Sequence, residues 1–174
     1  MEGISFKQLT NNDIDILVPI AQKAYLQAYT SVWEQNKPEY YIQKAFTRNV
    51  FATDLKNENL AYYLIYVAKV LVGFYKLELN SKIGSYKTAE AIQLEKIYIL
   101  NEFSGKGIGH ASLNHIMKLA SELRKKVLWV DVMHTSPAKR FYEKMGFNTW
   151  SNWDLDYPGL KSDQLKMHRM LKML

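Results

Sequence analysis

The sequence predicts a mixed α/β fold, and three observations carry that reading. Apolar residues recur at helical spacing from Ile14 to Ala28, from Leu113 to Leu123 and from Ala138 to Met145. Runs of β-branched and aromatic residues fill 61–68, 71–77, 92–100 and 127–133. A glycine-rich turn, Ser104-Gly105-Lys106-Gly107-Ile108-Gly109, joins one such strand to one such helix. The 174 residues contain no repeat, low-complexity tract or linker-like stretch, so a single domain over residues 1–174 is expected.

Taken in order, residues 4–9 read as a short first strand. Thr10 and Asp13 stand at near capping-box spacing and predict a helix start. Ile14, Leu17, Val18, Ala21, Tyr25 and Ala28 then share one face, with Pro19 expected to kink that helix or displace its start. Pro38 predicts the opening of a second helix carrying Tyr41, Ile42, Ala45 and Phe46. Residues 61–68 and 71–77 read as a hairpin separated by Lys69-Val70, and a polar stretch from Asn80 to Glu90 leads to the strand at 92–100. After the glycine turn and its helix, Val127 to Met133 reads as a buried strand. Ser136 as cap and Pro137 at the first position then predict a helix with Ala138, Phe141, Tyr142 and Met145 inward, ended by a left-handed Gly146. Strands near 147–155 and 163–172 close the chain.

Composition excludes several chemistries. With no cysteine, there is no disulfide, thiolate nucleophile or cysteine-bound zinc. The start of the sequence lacks the pattern of a signal peptide, and no apolar run approaches the length of a membrane span, so a soluble cytoplasmic protein without a membrane partner is expected. The net charge of +6 favours anionic partners, whether nucleic acid, acidic surfaces or phosphorylated cofactors, and on its own chooses none of them. Its basic residues are dispersed and no helix-turn-helix pattern is present, which argues against nucleic acid. The four histidines, His110, His115, His134 and His168, form no ligand spacing, so no metal is expected.

Glycines in a strand-to-helix turn let backbone amides approach a ligand, and the helix start adds unpaired N–H groups and a positive dipole end. The alternative is a tight turn that needs glycine only for its dihedral angles. The spacing here is G-x-G-x-G, which is neither the G-x-G-x-x-G of dinucleotide sites nor a Walker A sequence.

Leu94-Glu95-Lys96-Ile97-Tyr98-Ile99, then Gly105-Lys106-Gly107-Ile108-Gly109, then Ala138-Lys139-Arg140-Phe141-Tyr142-Glu143-Lys144-Met145-Gly146-Phe147 resemble the GCN5-related N-acetyltransferase (GNAT) superfamily. Within it, Tyr41 to Phe46, the Glu95 strand and the Phe141 to Phe147 segment are similar to bacterial spermidine/spermine N-acetyltransferases. The resemblance implies the acyl-CoA N-acyltransferase fold in the order β-α-α-β-β-β-α-β-α-β-β, with acetyl-CoA as cosubstrate and no metal. It also implies that the amides of Ser104, Gly105, Lys106, Gly107, Ile108 and Gly109 cradle the pyrophosphate, and that Ile97 and Ile99 pair with the pantetheine arm. Ser104 departs from the Gln or Arg that usually opens this loop, and Thr135 stands where relatives commonly carry a cofactor-contacting asparagine. Lys144 and Arg140 could reach the cofactor's phosphates, although a solvated helix face is the default reading of each.

By the same resemblance, Tyr142 lies beside the coenzyme A sulfur and protonates the departing thiolate; read from spacing alone, it is a core aromatic. Glu95, with Gln93 on the same strand face, is the candidate base for the amine, or else a charge that attracts a cationic substrate. The acceptor site is expected among Tyr29, Trp33, Tyr40, Trp150, Trp153, Asp154, Asp156 and Tyr157, aromatic and acidic residues suited to a polyamine or diamine. Two alternatives stay open: a protein or peptide acceptor, and a non-catalytic acetyl-CoA sensor. Dimers are common among relatives, so a homodimer is compatible with the resemblance.

Overall fold

The computed structural model describes residues 3–174. β1 (Ile4–Gln8) is followed by three helices, α1 (Ile14–Tyr29), α2 (Glu39–Ala45) and α3 (Arg48–Asp54). Three strands come next, β2 (Leu60–Val67), β3 (Val70–Glu78) and β4 (Ala91–Ile99). The order then alternates through α4 (Ile108–Glu122), β5 (Val127–Met133), α5 (Ala138–Lys144), β6 (Asn148–Asp154) and β7 (Lys166–Met173). The strands form one seven-stranded sheet of order β1-β2-β3-β4-β5-β7-β6. This is the mixed α/β architecture that the sequence predicts, with one helix more than expected. α3 has only two turns and a single buried residue, Phe51, so it offers no periodicity to read. Its visible signal is the Thr47 cap, whose side chain accepts from the Val50 amide at 3.4 Å.

Local chemistry explains most boundaries. The Thr10 amide and hydroxyl both donate to Asp13 Oδ2, at 3.0 and 2.7 Å, and start one 3₁₀ turn ahead of α1. α1 runs through Pro19 without interruption; the proline lies on the exposed side, where water can reach the Asp15 carbonyl that it leaves unbonded. The β2–β3 turn is Ala68-Lys69, both left-handed with φ of 46° and 70°, one residue earlier than the sequence suggests. Such primed turns match the twist of hairpin strands. Ser136 Oγ accepts from the Ala138 amide at 3.2 Å and Gly146 is left-handed at φ 84°, bounding α5 as predicted. Ala28 and Leu123, expected inside, are exposed at the last turns of α1 and α4.

Both faces of the sheet are buried. One packs Tyr75, Leu77, Leu94 and Val130 against Leu113 and Ile116 of α4 and Tyr142 of α5. The other packs Tyr62, Leu64 and Phe74 against Leu17, Ala21 and Tyr25 of α1, with Phe46 and Phe51.

Two irregularities in the middle of the sheet shape the site. Lys76 pairs with Lys96 and Leu77 with Leu94, so Glu95 is an extra, bulged residue in β4. The parallel β4–β5 ladder covers only Ala91–Gln93 against Val127–Trp129, after which the strands part. On its other side, β4 is fixed by β3, where Gly73 faces Ile99. A Cβ on Gly73 would sit 2.3 Å from the Tyr98 carbonyl oxygen, a backbone atom that cannot turn aside. Gly73→Ala is therefore expected to destabilise the protein by about 1–3 kcal/mol, the usual cost of overpacking. Urea unfolding would show it as a lower midpoint at unchanged slope.

Candidate active site

The glycine turn closes one end of a cleft of about 340 Å³. Gly105 and Gly107 are left-handed at φ 73° and 75°, and a Cβ on Gly105 would meet nothing within 4 Å. Ala111 is the first α4 residue whose amide bonds back, to the Gly107 carbonyl at 3.0 Å. The amides of Ile108, Gly109 and His110 precede it and stand free of the helix ladder, at the positive end of a 15-residue helix. Ser104, Gly105, Gly107, Ile108 and Gly109 line the cleft, with Ile97 and Ile99 from β4 and Phe141 and Tyr142 from α5. The arrangement suits an anion at the loop and an extended chain along β4.

The wedge between β4 and β5 opens a second cavity of about 480 Å³. Tyr25, Tyr29, Trp33, Tyr41, Tyr98 and Tyr157 form much of its wall. Tyr25 stacks on Tyr29 and Tyr41 with ring centroids 5.2 and 4.7 Å apart, and the Trp33 indole donates to the Tyr25 hydroxyl at 3.0 Å. Three residues line both cavities: Ile97, Ala138 and Tyr142. Tyr142 is the only one of the three with a transferable proton. Burial, with a smaller contribution from Tyr29, pushes its phenol well above the ordinary value, so it stays protonated at neutral pH.

The charged lining of the second cavity is tied up in ion pairs. Glu95 is bound by Lys76 at 2.8 Å and by Lys96, and Lys76 also reaches Asp54 at 2.9 Å. Tyr62 donates its hydroxyl to the same Asp54 oxygen. Burial pulls the Glu95 carboxyl upward, but the Lys96 and Lys76 ammoniums outweigh it and hold the group below the ordinary carboxylate value. Across the wedge, Asp131 accepts from Arg169 Nε at 2.9 Å, Arg169 Nη2 at 2.8 Å and the Trp153 indole at 3.2 Å. The Arg169 guanidinium lies over Trp129 and Trp153, 4.6 and 5.5 Å from their centroids.

Residues 21–147 match the family described as Acetyltransferase (GNAT) family. The chain belongs to that family. It is 21% identical over 155 residues to an uncharacterized N-acetyltransferase encoded in the pepI 3′ region of Lactobacillus delbrueckii subsp. lactis, covering 87% of this chain and 88% of the relative. Among solved structures, the PaiA N-acetyltransferase of Thermoplasma acidophilum in complex with coenzyme A superposes with a TM-score of 0.76 at 18% identity, covering 98% of this chain and 99% of that one. The spermidine N-acetyltransferase SpeG N152L mutant of Vibrio cholerae superposes with a TM-score of 0.72 at 16% identity, covering 99% and 95%. At these identities the structural likeness speaks for the GNAT fold.

Within the GNAT framework, the predicted loop residues, Ile97, Ile99 and Tyr142 come together around the first cleft, and Glu95 lies in the second cavity. Several expected residues lie elsewhere. Lys106 is absent from the cleft lining, its ammonium 5.1 Å from the Phe103 ring centroid. Lys144 and Arg140 are exposed and line neither cavity. Thr135 borders a separate hollow beside Pro137 and donates to Gln164 Oε1 at 2.6 Å. Of the expected acceptor residues, Tyr29, Trp33, Trp153 and Tyr157 line the second cavity. Trp150, Asp154, Asp156 and Tyr40 are exposed outside it, the Tyr40 ring centroid 6.0 Å from that of Tyr157.

His134 and His168 are less isolated than the sequence suggests, with ring centroids 4.2 Å apart. His115 is half-buried at the α4 face, within 2.6 Å of the Tyr75 hydroxyl and stacked on Phe6. Among the described residues, no group of three or more metal-ligating side chains converges. Sequence reasoning missed Asp54, Lys76, Asp131 and Arg169. Lys76 carries the only signal: a charge at an inward position between Phe74 and Leu77.

Lys76→Met would leave Asp54 facing Glu95 without its shared cation, and a loss of about 3–5 kcal/mol is expected on urea unfolding. Glu95 also sets a pH dependence. Its folded value is depressed, so its stabilisation is fully present above the ordinary carboxylate range and is lost as pH falls through the lower folded value. Wild-type stability is expected to drop more steeply than that of Glu95→Gln when both are unfolded from neutral into acid pH.

Proposed function

We propose that the protein transfers the acetyl group of acetyl-CoA to the primary amine of a small molecule held in the aromatic cavity. The single observation that carries this reading is that Tyr142, a neutral proton donor, belongs to the walls of both cavities. A thioester bound along β4 and an amine bound in the wedge would meet at its hydroxyl. Free amides at the start of α4, the open space at Gly105 and the unpaired edge of β4 beyond Gln93 fit the diphosphate and the amide-bearing arm of coenzyme A. Likeness to a GNAT structure with coenzyme A bound supports the same cosubstrate.

In this mechanism the amine lone pair attacks the thioester carbonyl. A C–N bond forms, the C–S bond breaks, and the Tyr142 hydroxyl gives its proton to the departing sulfur. The nitrogen gives up one proton, which returns to Tyr142 through water. Proximity does much of the work, because both reactants are held at one point. Glu95 is poorly suited to the role of base, since two lysines lower its proton affinity. With no cysteine in the chain, a thioester-linked enzyme intermediate is unavailable and direct transfer is the natural route.

Thiol release from acetyl-CoA in the presence of an amine panel tests the reading. Tyr142→Phe is expected to lower kcat by about 10²-fold while acetyl-CoA affinity, measured by calorimetry, stays unchanged. An unchanged kcat would remove Tyr142 from the chemistry.

A further inference from the structure

We propose that the acceptor carries one amine on an aromatic or apolar body, and that the site discriminates against polyamines because every carboxylate oxygen lining the acceptor cavity is already bound by a cation of the protein. This rests on the acetyl-transfer reading above and names its substrate class.

The two carboxylates in the lining are Glu95 and Asp131. One Glu95 oxygen is taken by Lys76 at 2.8 Å and the other by Lys96. Arg169 closes a two-pronged contact on Asp131, at 2.9 and 2.8 Å, and the Trp153 indole shares Oδ1. Behind Lys76, Asp54 balances the remaining charge at 2.9 Å. Three cations thus face three carboxylates. A second ammonium entering this space would leave water and find no free counter-charge. To gain one it would have to displace Lys76, Lys96 or Arg169, whose side chains are 10, 14 and 31% exposed, and strand that charge instead.

Nor do the phenols supply negative charge. Burial, and then the Glu95 charge, pushes Tyr41 up to about 12, and burial likewise drives Tyr25 and Tyr98 well above the ordinary phenol value, so all three stay neutral. What they offer is ring surface. Tyr98 stands edge-on to Tyr29 with centroids 5.8 Å apart at 85°, and Trp33 edge-on to Tyr157 at 5.7 Å and 80°. A ligand ring can extend this edge-to-face pattern.

The same neutrality helps the chemistry. Burial in an apolar wall lowers the pKa of an amine, because it disfavours the ammonium form. The cavity thereby selects the neutral nucleophile that Glu95 is poorly suited to generate, and the proton stays behind in bulk water.

The test compares initial rates of thiol release with 2-phenylethylamine, spermidine and putrescine, for the wild type and for Lys96→Gln. The wild-type kcat/KM for 2-phenylethylamine is expected to exceed that for spermidine by about tenfold or more, given the penalty for an unpaired charge. Lys96→Gln frees one Glu95 oxygen and should move this ratio toward spermidine, a shift that simple loss of stability would not produce. Wild-type turnover of spermidine or putrescine equal to or faster than that of 2-phenylethylamine overturns the assignment and leaves acetyl transfer standing. No turnover with any amine, while calorimetry shows acetyl-CoA bound, overturns the transfer reading and the assignment together.

Discussion

The parting of β4 and β5 is the constraint on which the rest of the structure depends. Three parallel pairs join the strands, and beyond Gln93 and Trp129 they diverge. Divergence leaves backbone donors and acceptors on the inner edge of β4 without a strand partner, a cost that a ligand or water must offset. The sheet tolerates the wedge because each strand is held firmly on its other side. β3 pairs with β4 from Gly73 to Glu78, and β7 pairs with β5 along its whole length. The bulge at Glu95 falls at the mouth of the wedge, where an extra residue turns its side chain toward Lys76 and away from the α4 face.

That placement commits the centre of the sheet to a closed electrostatic system. Asp54 comes from α3, Lys76 from β3, and Glu95 and Lys96 from β4. None of the four is close in sequence to all the others, so the network forms only when the α1–α3 layer has docked on the strands. Buried networks of this kind add little net stability over apolar packing, yet are costly to leave incomplete. The arrangement therefore favours one register of β3 against β4, the register that positions Ile97 and Ile99 beside the glycine turn.

The glycine-turn side of the molecule is legible in the sequence and the aromatic cavity largely is not. The glycine turn, the strand before it and the Tyr142 helix are contiguous segments whose local chemistry is distinctive: left-handed glycines, a serine cap followed by proline, a terminal Gly146. Fold order followed from periodicity, apart from α3, which is too short to show any. The aromatic cavity wall, by contrast, is assembled from Tyr25, Tyr41, Tyr98 and Tyr157, which lie on four different segments. In sequence each is an ordinary helix-face, strand or loop aromatic. Asp154 and Asp156 look suited to a cation because they are acidic and near a tryptophan, but β6 is an edge strand exposed along nearly its whole length, and Asp156 follows it in an exposed loop. Asp131 drew no notice, lying inside an apolar strand, and only tertiary pairing reveals that Arg169 neutralises it.

The first cavity lies on the α4–α5 face of the sheet, whereas the second passes through the wedge and takes wall residues from both faces, Leu94, Val130 and Val132 from one and the aromatics from the other. First-cleft residues such as Ile108 and Phe141 belong to the packing cluster of α4 and α5, whereas Tyr25, Trp33 and Tyr41 of the second cavity belong to that of α1 to α3. Their walls share only three residues. Substitutions among the α1–α3 aromatics can thus accumulate and reshape the aromatic cavity without disturbing the free amides at the start of α4. A chain built this way can change what it modifies over evolutionary time while keeping the group it delivers.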